Sequence, residues 1–162
     1  MSKKLGIIMD PIQSINFKKD TSLLILLAAK KSGFTLYLIE QNDLYLDCDE
    51  PRALTAELNV FDDEKEWFKL KSKRDISIND LDVILMRKDP PFNKEYIYST
   101  YILEAAKRKG VLIVNDPQSL RDCNEKIFAT EFKQFTPPLI VTKNIKLLKT
   151  FLAQNKEVVC LL

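Results

Sequence analysis

Short apolar runs alternate with polar, turn-forming stretches along most of the chain. A run of this kind that is closed by Asp, Asn, Pro or Gly is typical of a buried strand in an α/β sheet. Such strands are predicted at Lys4–Met9, Phe34–Ile39, Leu81–Met86 and Val111–Val114. A helix that the stretch Asp20-Thr21-Ser22 can cap lies between the first two strands, which predicts a strand–helix–strand unit.

Helical periodicity is clearest after the double proline at 90–91. The stretch Lys94–Lys109 carries apolar residues at steps of three and four, which predicts an amphipathic helix. We expect the face formed by Tyr98, Tyr101, Ile102 and Ala105 to pack into the core. Further helical segments are predicted at 118–122, at 125–135 with Asn124 as the cap, and at 146–155 with Asn144 as the cap.

The middle of the chain favours extended structure. Ala53–Val60 and Trp67–Lys71 flank an acidic, turn-like stretch at 61–66, which predicts a β-hairpin with a solvated tip rather than a metal site. Ile76–Asp80 is predicted to be a connection that leads to the next strand. Extended structure is also expected at Asp43–Leu46, Leu139–Thr142 and 158–162.

The residues that follow the predicted strands carry the candidate chemistry. Arg87 stands directly after Leu81–Met86 and before Pro90-Pro91. Ligands of open α/β sheets bind beyond the carboxyl ends of the strands, and the guanidinium fork suits a carboxylate or a phosphate. The alternative interpretation of this stretch is a solvated charged turn.

Two further positions are candidates by the same argument. The loop Asp10–Asp20 leaves the first strand and enters a helix amino end, where backbone N–H groups favour anions. It contains no Gly-x-Gly-x-x-Gly and no Walker pattern, so a cap and a turn explain it equally well. Lys126 stands in the first turn of a predicted helix and is either a site residue or a solvated lysine.

Composition narrows the class of protein. The chain has 162 residues, of which 46% are hydrophobic and 30% are charged, as in a globular protein of one domain or of one domain and part of another. A net charge of +2 does not indicate a nucleic-acid or membrane partner. The absence of histidine excludes Ser-His-Asp and Cys-His catalysis within these residues, together with histidine-based zinc sites.

The cysteines and the two ends of the chain give expectations about where the protein is located and whether the chain is truncated. Cys48, Cys123 and Cys160 match neither a disulfide framework nor a zinc spacing, which favours reduced thiols and a cytoplasmic protein. The chain shows no signal peptide and no apolar stretch of about 18 residues, so no membrane span is expected. Because it stops within an apolar run at Leu162, we expect a truncated chain.

Several strings of residues together resemble the opening of bacterial glutathione synthetases, which are ATP-grasp enzymes. The most specific are Met-Arg-Lys-Asp-Pro-Pro at 86–91 and Ser-Leu-Arg-Asp-Cys-Asn-Glu-Lys at 119–126. The others are Met9-Asp10-Pro11-Ile12, Asn16-Phe17-Lys18-Lys19-Asp20, Asp43-Leu44-Tyr45 and Tyr98-Ser99-Thr100-Tyr101-Ile102-Leu103-Glu104. The likeness extends over nearly the whole chain.

The resemblance implies an α/β fold: a Rossmann-like pre-ATP-grasp domain with a mainly parallel sheet and a β-hairpin excursion. Residues 1–122 would be the substrate domain, and 123–162 an incomplete start of the ATP-grasp domain. The implied activity joins γ-glutamylcysteine to glycine. ATP phosphorylates the cysteinyl carboxylate and leaves as ADP, and the glycine amine then displaces phosphate from the acyl phosphate. Magnesium supports the phosphoryl transfer.

The resemblance also implies roles for individual residues. Arg87 would bind a carboxylate of the dipeptide, Asp10 and Asn16 would line the same crevice, and Lys126 would be the first of two lysines on the nucleotide phosphates. The family's second lysine, glycine-rich lid and magnesium ligands have no counterpart here. We therefore expect no complete catalytic set and no metal site, poor binding of ATP and magnesium, and no ligase activity from this chain alone.

Other interpretations of the same residues stay open. The chain could be a non-catalytic module that binds γ-glutamylcysteine or that associates with a separate ATP-grasp chain or a full-length subunit. It could also be a poorly folding gene product, which its apolar end favours. For the full-length family the resemblance implies a homotetramer.

Overall fold

A computed structural model of the chain describes residues 2–89, 91–123, 125–155 and 157–159, with only the backbone given at 125 and 126. The chain divides into two compact units, Met1–Arg121 and Asp122–Leu162. The sequence-based predictions for the Pro90 turn, the Asn124 cap and the last strand residues 160–162 fall outside the described residues. None of the helices in the described part has the length and apolar character needed to span a membrane.

The first unit consists of strands and helices that largely follow the predicted order. The strands are β1 (Lys4–Ile8), β2 (Thr35–Ile39), β3 (Leu44–Asp47), β4 (Glu50–Val60), β5 (Phe68–Leu70), β6 (Arg74–Ser77), β7 (Val83–Met86) and β8 (Leu112–Val114). The helices are α1 (Thr21–Lys31), α2 (Lys94–Arg108) and the short α3 (Pro117–Asp122).

Within the described residues these strands form one mixed sheet. Its main order is β3-β4-β2-β1-β7-β8, and β5 and β6 also pair with β4. The pairs of β1 with β2, of β1 with β7 and of β7 with β8 are parallel, whereas every pair that involves β4 is antiparallel. The predicted α/β class and the hairpin between β4 and β5 are confirmed, and the antiparallel part is more extensive than the resemblance implied.

The two long helices of this unit cover opposite faces of the sheet. Because side chains alternate along a strand, Leu5 and Ile7 of β1 pack with Leu23 and Leu26 of α1. Ile8 packs with the other cluster, which includes Tyr96, Leu103 and Ala106 of α2. The central parallel strands β1, β2 and β7 are therefore covered on both faces, which explains their nearly continuous apolar sequences.

Helix α1 begins and ends as its sequence predicts. The Asp20 side chain accepts a hydrogen bond of 2.6 Å from the Ser22 backbone N–H and so caps the first turn. After the last turn, Gly33 adopts a φ of 84°, a left-handed conformation that is easier for glycine than for other residues. The Asp20 cap fixes where the chain enters the helix and so places Thr21 and Ser22 in its first turn.

The prediction that Tyr98 and Tyr101 of α2 pack into the core is wrong. Tyr98 is 66% exposed and Tyr101 is 51% exposed, whereas Tyr96 is only 8% exposed. The buried face consists of Tyr96, Ser99, Thr100, Leu103, Ala105 and Ala106. The sheet is covered by a face rich in small residues, and the exposed tyrosines lie on a face that the apolar spacing alone suggested for the core.

Three predictions of extended or connecting structure need correction. Residues 76–77, predicted to belong to a connection, lie in β6, which pairs with β4 and is tied to it by an Arg52–Asp75 ion pair of 2.7 Å. Strand β8 lies at the edge of the sheet, so Leu112 is exposed although a buried strand was predicted. Leu139–Thr142 forms no strand, and neither do residues 158 and 159.

The second unit, taken by itself, is mainly helical among its described residues. It contains the short α4 (Glu125–Phe128), a 3-10 segment at Ala129–Phe135 and α5 (Ile145–Gln154). The Asn144 side chain caps α5 by accepting a hydrogen bond of 3.0 Å from the Lys146 N–H, as predicted. Within α5 no residue is buried, so its apolar side chains remain largely exposed.

A polar cluster fastens the start of β4 to the end of α2. The Glu50 carboxylate accepts hydrogen bonds from Lys109 at 2.6 Å, from the Ser77 hydroxyl, and from the Asn79 amide at 2.9 Å. The hydrogen bond from Lys109, followed by that from Ser77, lowers the pKa of the Glu50 carboxyl. The same bond raises the pKa of Lys109.

We expect the contribution of Glu50 to stability to depend on pH. A carboxyl group whose pKa is lower in the folded than in the unfolded state stabilises the protein above the unfolded value of about 4.3, and this contribution is lost as the pH falls through the folded value. The wild type should therefore have a higher urea midpoint than Glu50→Gln at pH 7, and the difference should shrink below about pH 4.3. A difference that grows on acidification would contradict this account.

Candidate functional site

The sheet brings Asp10 and Arg87 to the same edge. Strands β1 and β7 are parallel neighbours, with Ile8 opposite Met86 in the register. Both strands therefore end at one level, and the residues that follow them leave from the same side. The backbone N–H of Arg87 donates to the Ile8 carbonyl at 2.7 Å, which extends the pairing by one bond and fixes the start of the Arg87 side chain.

The loop between β1 and α1 folds back over this edge. Ile12 is fully buried and anchors the loop in the core beneath α1. The Asn16 side chain accepts a hydrogen bond of 3.0 Å from the Lys18 N–H, and the Asn16 carbonyl accepts one of 2.9 Å from the Asp20 N–H. Asn16 thus forms a local turn that delivers the chain to the first residue of the helix.

A cleft of about 380 Å³ lies between this loop and the residues after β7. Residues from the segment 9–22 line one part of it, and Arg87 and Asp89 line the other. The cleft contains Arg87, Asp10 and Asn16, the residues that the resemblance assigned to substrate binding. The structure brings them together, and their role in binding a substrate remains a prediction.

Asp10 organises the loop that follows β7. Its carboxylate forms an ion pair of 3.0 Å with Lys88, whose side chain is mostly buried, and accepts a hydrogen bond of 3.4 Å from the Asp89 N–H. Lys88 also donates to the Asp89 carbonyl at 2.6 Å. The charges of Asp10 and Lys88 neutralise each other, so this pair shapes the cleft and leaves Arg87 as the better candidate for binding an anion.

Arg87 keeps its positive charge available. In the part of the chain that the structure describes, its guanidinium forms no ion pair with a carboxylate, and its hydrogen bonds go to two neutral hydroxyls. Nη2 donates to Thr21 Oγ1 at 2.8 Å, and Nε donates to Ser22 Oγ at 3.3 Å. Both hydroxyls belong to the first turn of α1, whose amino end adds a partial positive charge. The arrangement favours a carboxylate or phosphate ligand.

Arg121, unlike Arg87, is paired with a carboxylate. Arg121 donates to the Glu104 carboxylate at 2.6 Å and to Thr100 Oγ1 at 3.0 Å, and its guanidinium lies 4.4 Å from the centre of the Tyr101 ring. Its charge is compensated and its side chain is mostly buried. Arg121 therefore fastens α3 to α2, and its presence in a family string has a structural explanation.

Lys126, the predicted ATP-binding residue, belongs to the second unit. Its backbone lies in α4, while its side chain is outside what the structure describes. Its role with nucleotide phosphates remains a prediction.

Sequence reasoning missed the contribution of Thr21 and Ser22. It treated them only as part of the helix cap, because hydroxyl residues are common there. The signal that could have found them is positional. They begin the helix that follows β1, next to the strand edge from which Arg87 departs, so their hydroxyls come within reach of a long cationic side chain.

Comparison with known proteins identifies the family. Residues 3–121 match the family described as prokaryotic glutathione synthetase, N-terminal domain. This match includes the whole cleft and nearly all of the first unit. The chain belongs to the prokaryotic glutathione synthetase family. The resemblance seen in the sequence strings is thereby confirmed.

Curated glutathione synthetases are similar to almost the entire chain. The protein of Pseudomonas aeruginosa is 53% identical over 159 residues, which cover 98% of this chain and 50% of that protein. The protein of Pseudomonas syringae pv. tomato is 54% identical over the same number of residues. The protein of Escherichia coli K12 is 53% identical over 156 residues, which cover 96% of this chain and 49% of that protein. The chain thus spans about half the length of these relatives.

Proposed function

We propose that this chain provides the γ-glutamylcysteine-binding part of a glutathione synthetase, with Arg87 bound to a carboxylate of the dipeptide. The observation that carries the proposal is the uncompensated guanidinium of Arg87 at a cleft beyond the carboxyl ends of β1 and β7. Family membership supports the choice of ligand. The relatives are named glutathione synthetase, and an enzyme that makes glutathione must bind a precursor of it.

The chemistry of the dipeptide suits this cleft. γ-Glutamylcysteine carries two carboxylates, one on the γ-glutamyl residue and one on the cysteinyl residue. A guanidinium recognises either by charge-assisted, paired hydrogen bonds, which are stronger than bonds between neutral groups. Ligand binding removes only part of the water around the Arg87 guanidinium, because this side chain is exposed and already donates hydrogen bonds to hydroxyls on one side.

We propose the other reactants for the whole enzyme and not for this chain alone. Glycine is the second substrate, ATP provides the phosphoryl group, and magnesium stabilises its charge. In the described residues of this chain, no group of three or more Cys, Asp or Glu side chains is placed to hold a metal ion. The role that we propose for this chain is dipeptide binding. A cytoplasmic homo-oligomer is proposed on family grounds.

Calorimetric titration of the 162-residue chain with γ-glutamylcysteine tests the proposal. We expect saturable binding at one site. Two matched analogues, each with one of the carboxylates converted to an amide, should identify the group that Arg87 binds, because only one of them should lose most of the affinity. The absence of binding by the folded chain, or equal binding of the dipeptide and both analogues, would contradict the proposal.

Binding and ligation should separate in this chain. Because the curated relatives are about twice as long, we propose that these 162 residues bind the dipeptide without joining it to glycine. An assay with γ-glutamylcysteine, glycine and ATP–magnesium should therefore yield no glutathione above a protein-free control. Glutathione formation by the purified chain would overturn this part of the proposal and leave the binding part intact.

A further inference from the structure

The two hydroxyl contacts of Arg87 use one particular edge of its guanidinium. Nε and Nη2 lie on the same side of the planar group, and these are the two nitrogens that donate to Ser22 and Thr21. An arginine has five N–H hydrogens. One hydrogen on Nη1 and the second one on Nη2 point together to the far end of the fork, and the other Nη1 hydrogen points to the side opposite the Nε–H.

We propose that Thr21 and Ser22 are positioning residues that orient Arg87 for end-on binding of a carboxylate. They hold the Nε–Nη2 edge against the first turn of α1, so that the ligand meets the Nη1–Nη2 end of the fork. This inference rests on the proposed function, since it assumes that the ligand of Arg87 is a carboxylate of γ-glutamylcysteine.

Arg87 is held at its backbone and at its guanidinium without any ligand. At the backbone, the Arg87 N–H is bonded to the Ile8 carbonyl in the sheet. At the tip, the hydroxyls belong to a helix turn that Asp20 caps. Ser22 is only 3% exposed, so its oxygen cannot move far. A flexible side chain held in this way loses less conformational freedom on binding, which increases the affinity for a ligand that fits.

The two hydroxyls are not used to cap α1 and instead contact a distant part of the chain. The Asp20 carboxylate caps the first turn by accepting a hydrogen bond from the Ser22 backbone N–H, and the side-chain hydroxyls of Thr21 and Ser22 take no part in this capping bond. Their hydroxyl contacts bridge 65 and 66 residues along the chain to reach Arg87, which joins the helix to the strand edge that bounds the cleft.

The test uses Thr21→Val, Ser22→Ala and the double variant in the 162-residue chain. Thr21→Ser keeps the hydroxyl and serves as the conservative rescue. Ser99→Ala is the matched control, because Ser99 is also a buried hydroxyl of a helix but donates to the Glu95 carbonyl of its own helix. Urea unfolding of each variant establishes that it is folded, and the single variants replace the double variant if that one is not.

Two readouts are needed, and the first requires no ligand. Nitrogen-15 NMR of the Arg87 Nε–H should show slow exchange with water and restricted rotation in the wild type, in Thr21→Ser and in Ser99→Ala, and fast motion in the double variant. The second readout is the calorimetric affinity for γ-glutamylcysteine. Each hydroxyl-removing substitution should weaken it by about 3- to 10-fold, as expected for the loss of one hydrogen bond.

The outcomes separate this inference from the proposed function. If the wild type binds the dipeptide and the affinities of the hydroxyl variants are unchanged, the positioning role is overturned while the proposed function stands. Weaker binding without a change in the Arg87 signal would also overturn it, because the hydroxyls would then act on the ligand directly. If the wild type binds no dipeptide, the proposed function fails, and an Arg87 signal that is mobile in the wild type would overturn the positioning role as well.

Discussion

Replacing Arg87 by alanine is expected to weaken the binding of γ-glutamylcysteine by about 10- to 100-fold. A hydrogen bond to a charged group contributes about 1.5–3 kcal/mol, and about 1.4 kcal/mol corresponds to a tenfold change in affinity. In the structure, no carboxylate of the described residues forms an ion pair with Arg87, so its interaction with a ligand would not be weakened by competition. Calorimetric titration of the variant and the wild type measures the effect.

Two variants make this result specific. Arg87→Lys keeps the charge but not the planar fork, so we expect an affinity between those of the wild type and of Arg87→Ala. Arg108→Ala removes the same charge from the exposed end of α2, where the arginine lies 3.9 Å from Glu104, and should bind as the wild type does. Equal affinities for Arg87→Ala and Arg108→Ala would show that Arg87 contributes only to the general positive charge.

Replacing Tyr96 by alanine is expected to lower the free energy of unfolding by about 3 kcal/mol, as is typical when a buried aromatic side chain is removed from a core. Tyr96 is part of the cluster beneath α2, and its ring lies 5.6 Å from that of Phe92. Burial also raises the pKa of its hydroxyl. Urea unfolding at neutral pH measures the change.

Tyr98→Ala is the matched control, because the same residue type is removed from the same helix two positions later. Tyr98 lies mostly in solvent, so its replacement should change the free energy of unfolding by no more than about 0.5 kcal/mol. The spacing of apolar residues predicted that Tyr98 packs into the core. Greater destabilisation by Tyr98→Ala than by Tyr96→Ala would therefore restore the sequence-based face of α2 and contradict the structure.

The part of the fold that the sequence predicts well is its parallel centre. Strands β1, β2 and β7 are buried on both faces, and such strands have continuous apolar sequences that end at turn residues. The same pattern predicted that Asp10 and Arg87 follow strand ends. Their meeting at one cleft then requires only that the two strands are parallel neighbours, which is common in α/β sheets.

The errors arise where distant residues decide the outcome. The strand β6 has a polar sequence and forms because β4 offers it a partner, with Arg52 and Asp75 paired across the two strands. The face of α2 follows the space above the sheet, which small residues such as Ser99 and Ala106 fill. Apolar periodicity cannot distinguish a tyrosine in the core from one at the surface, since tyrosine suits both.

The details of the candidate site were also beyond the sequence. The Lys88–Asp10 ion pair and the hydroxyl contacts of Arg87 join residues that are more than sixty positions apart. Their formation depends on the rotamers of long side chains, which spacing along the chain does not define. The sequence indicates which residue types follow the strand ends. Only the structure shows that Asp10 neutralises Lys88, whereas Arg87 forms no ion pair with a carboxylate of the described residues.

The central claim is that the Arg87 cleft binds γ-glutamylcysteine, and NMR mapping of the 162-residue chain during a titration with the dipeptide tests it most directly. We predict saturable shifts that concentrate at residues 10–22 and 87–89, together with a shift of the Arg87 Nε–H signal. The same titration of Arg87→Ala should require a much higher dipeptide concentration. Saturable binding with shifts located elsewhere, or an unperturbed Arg87 signal at saturation, would contradict the claim.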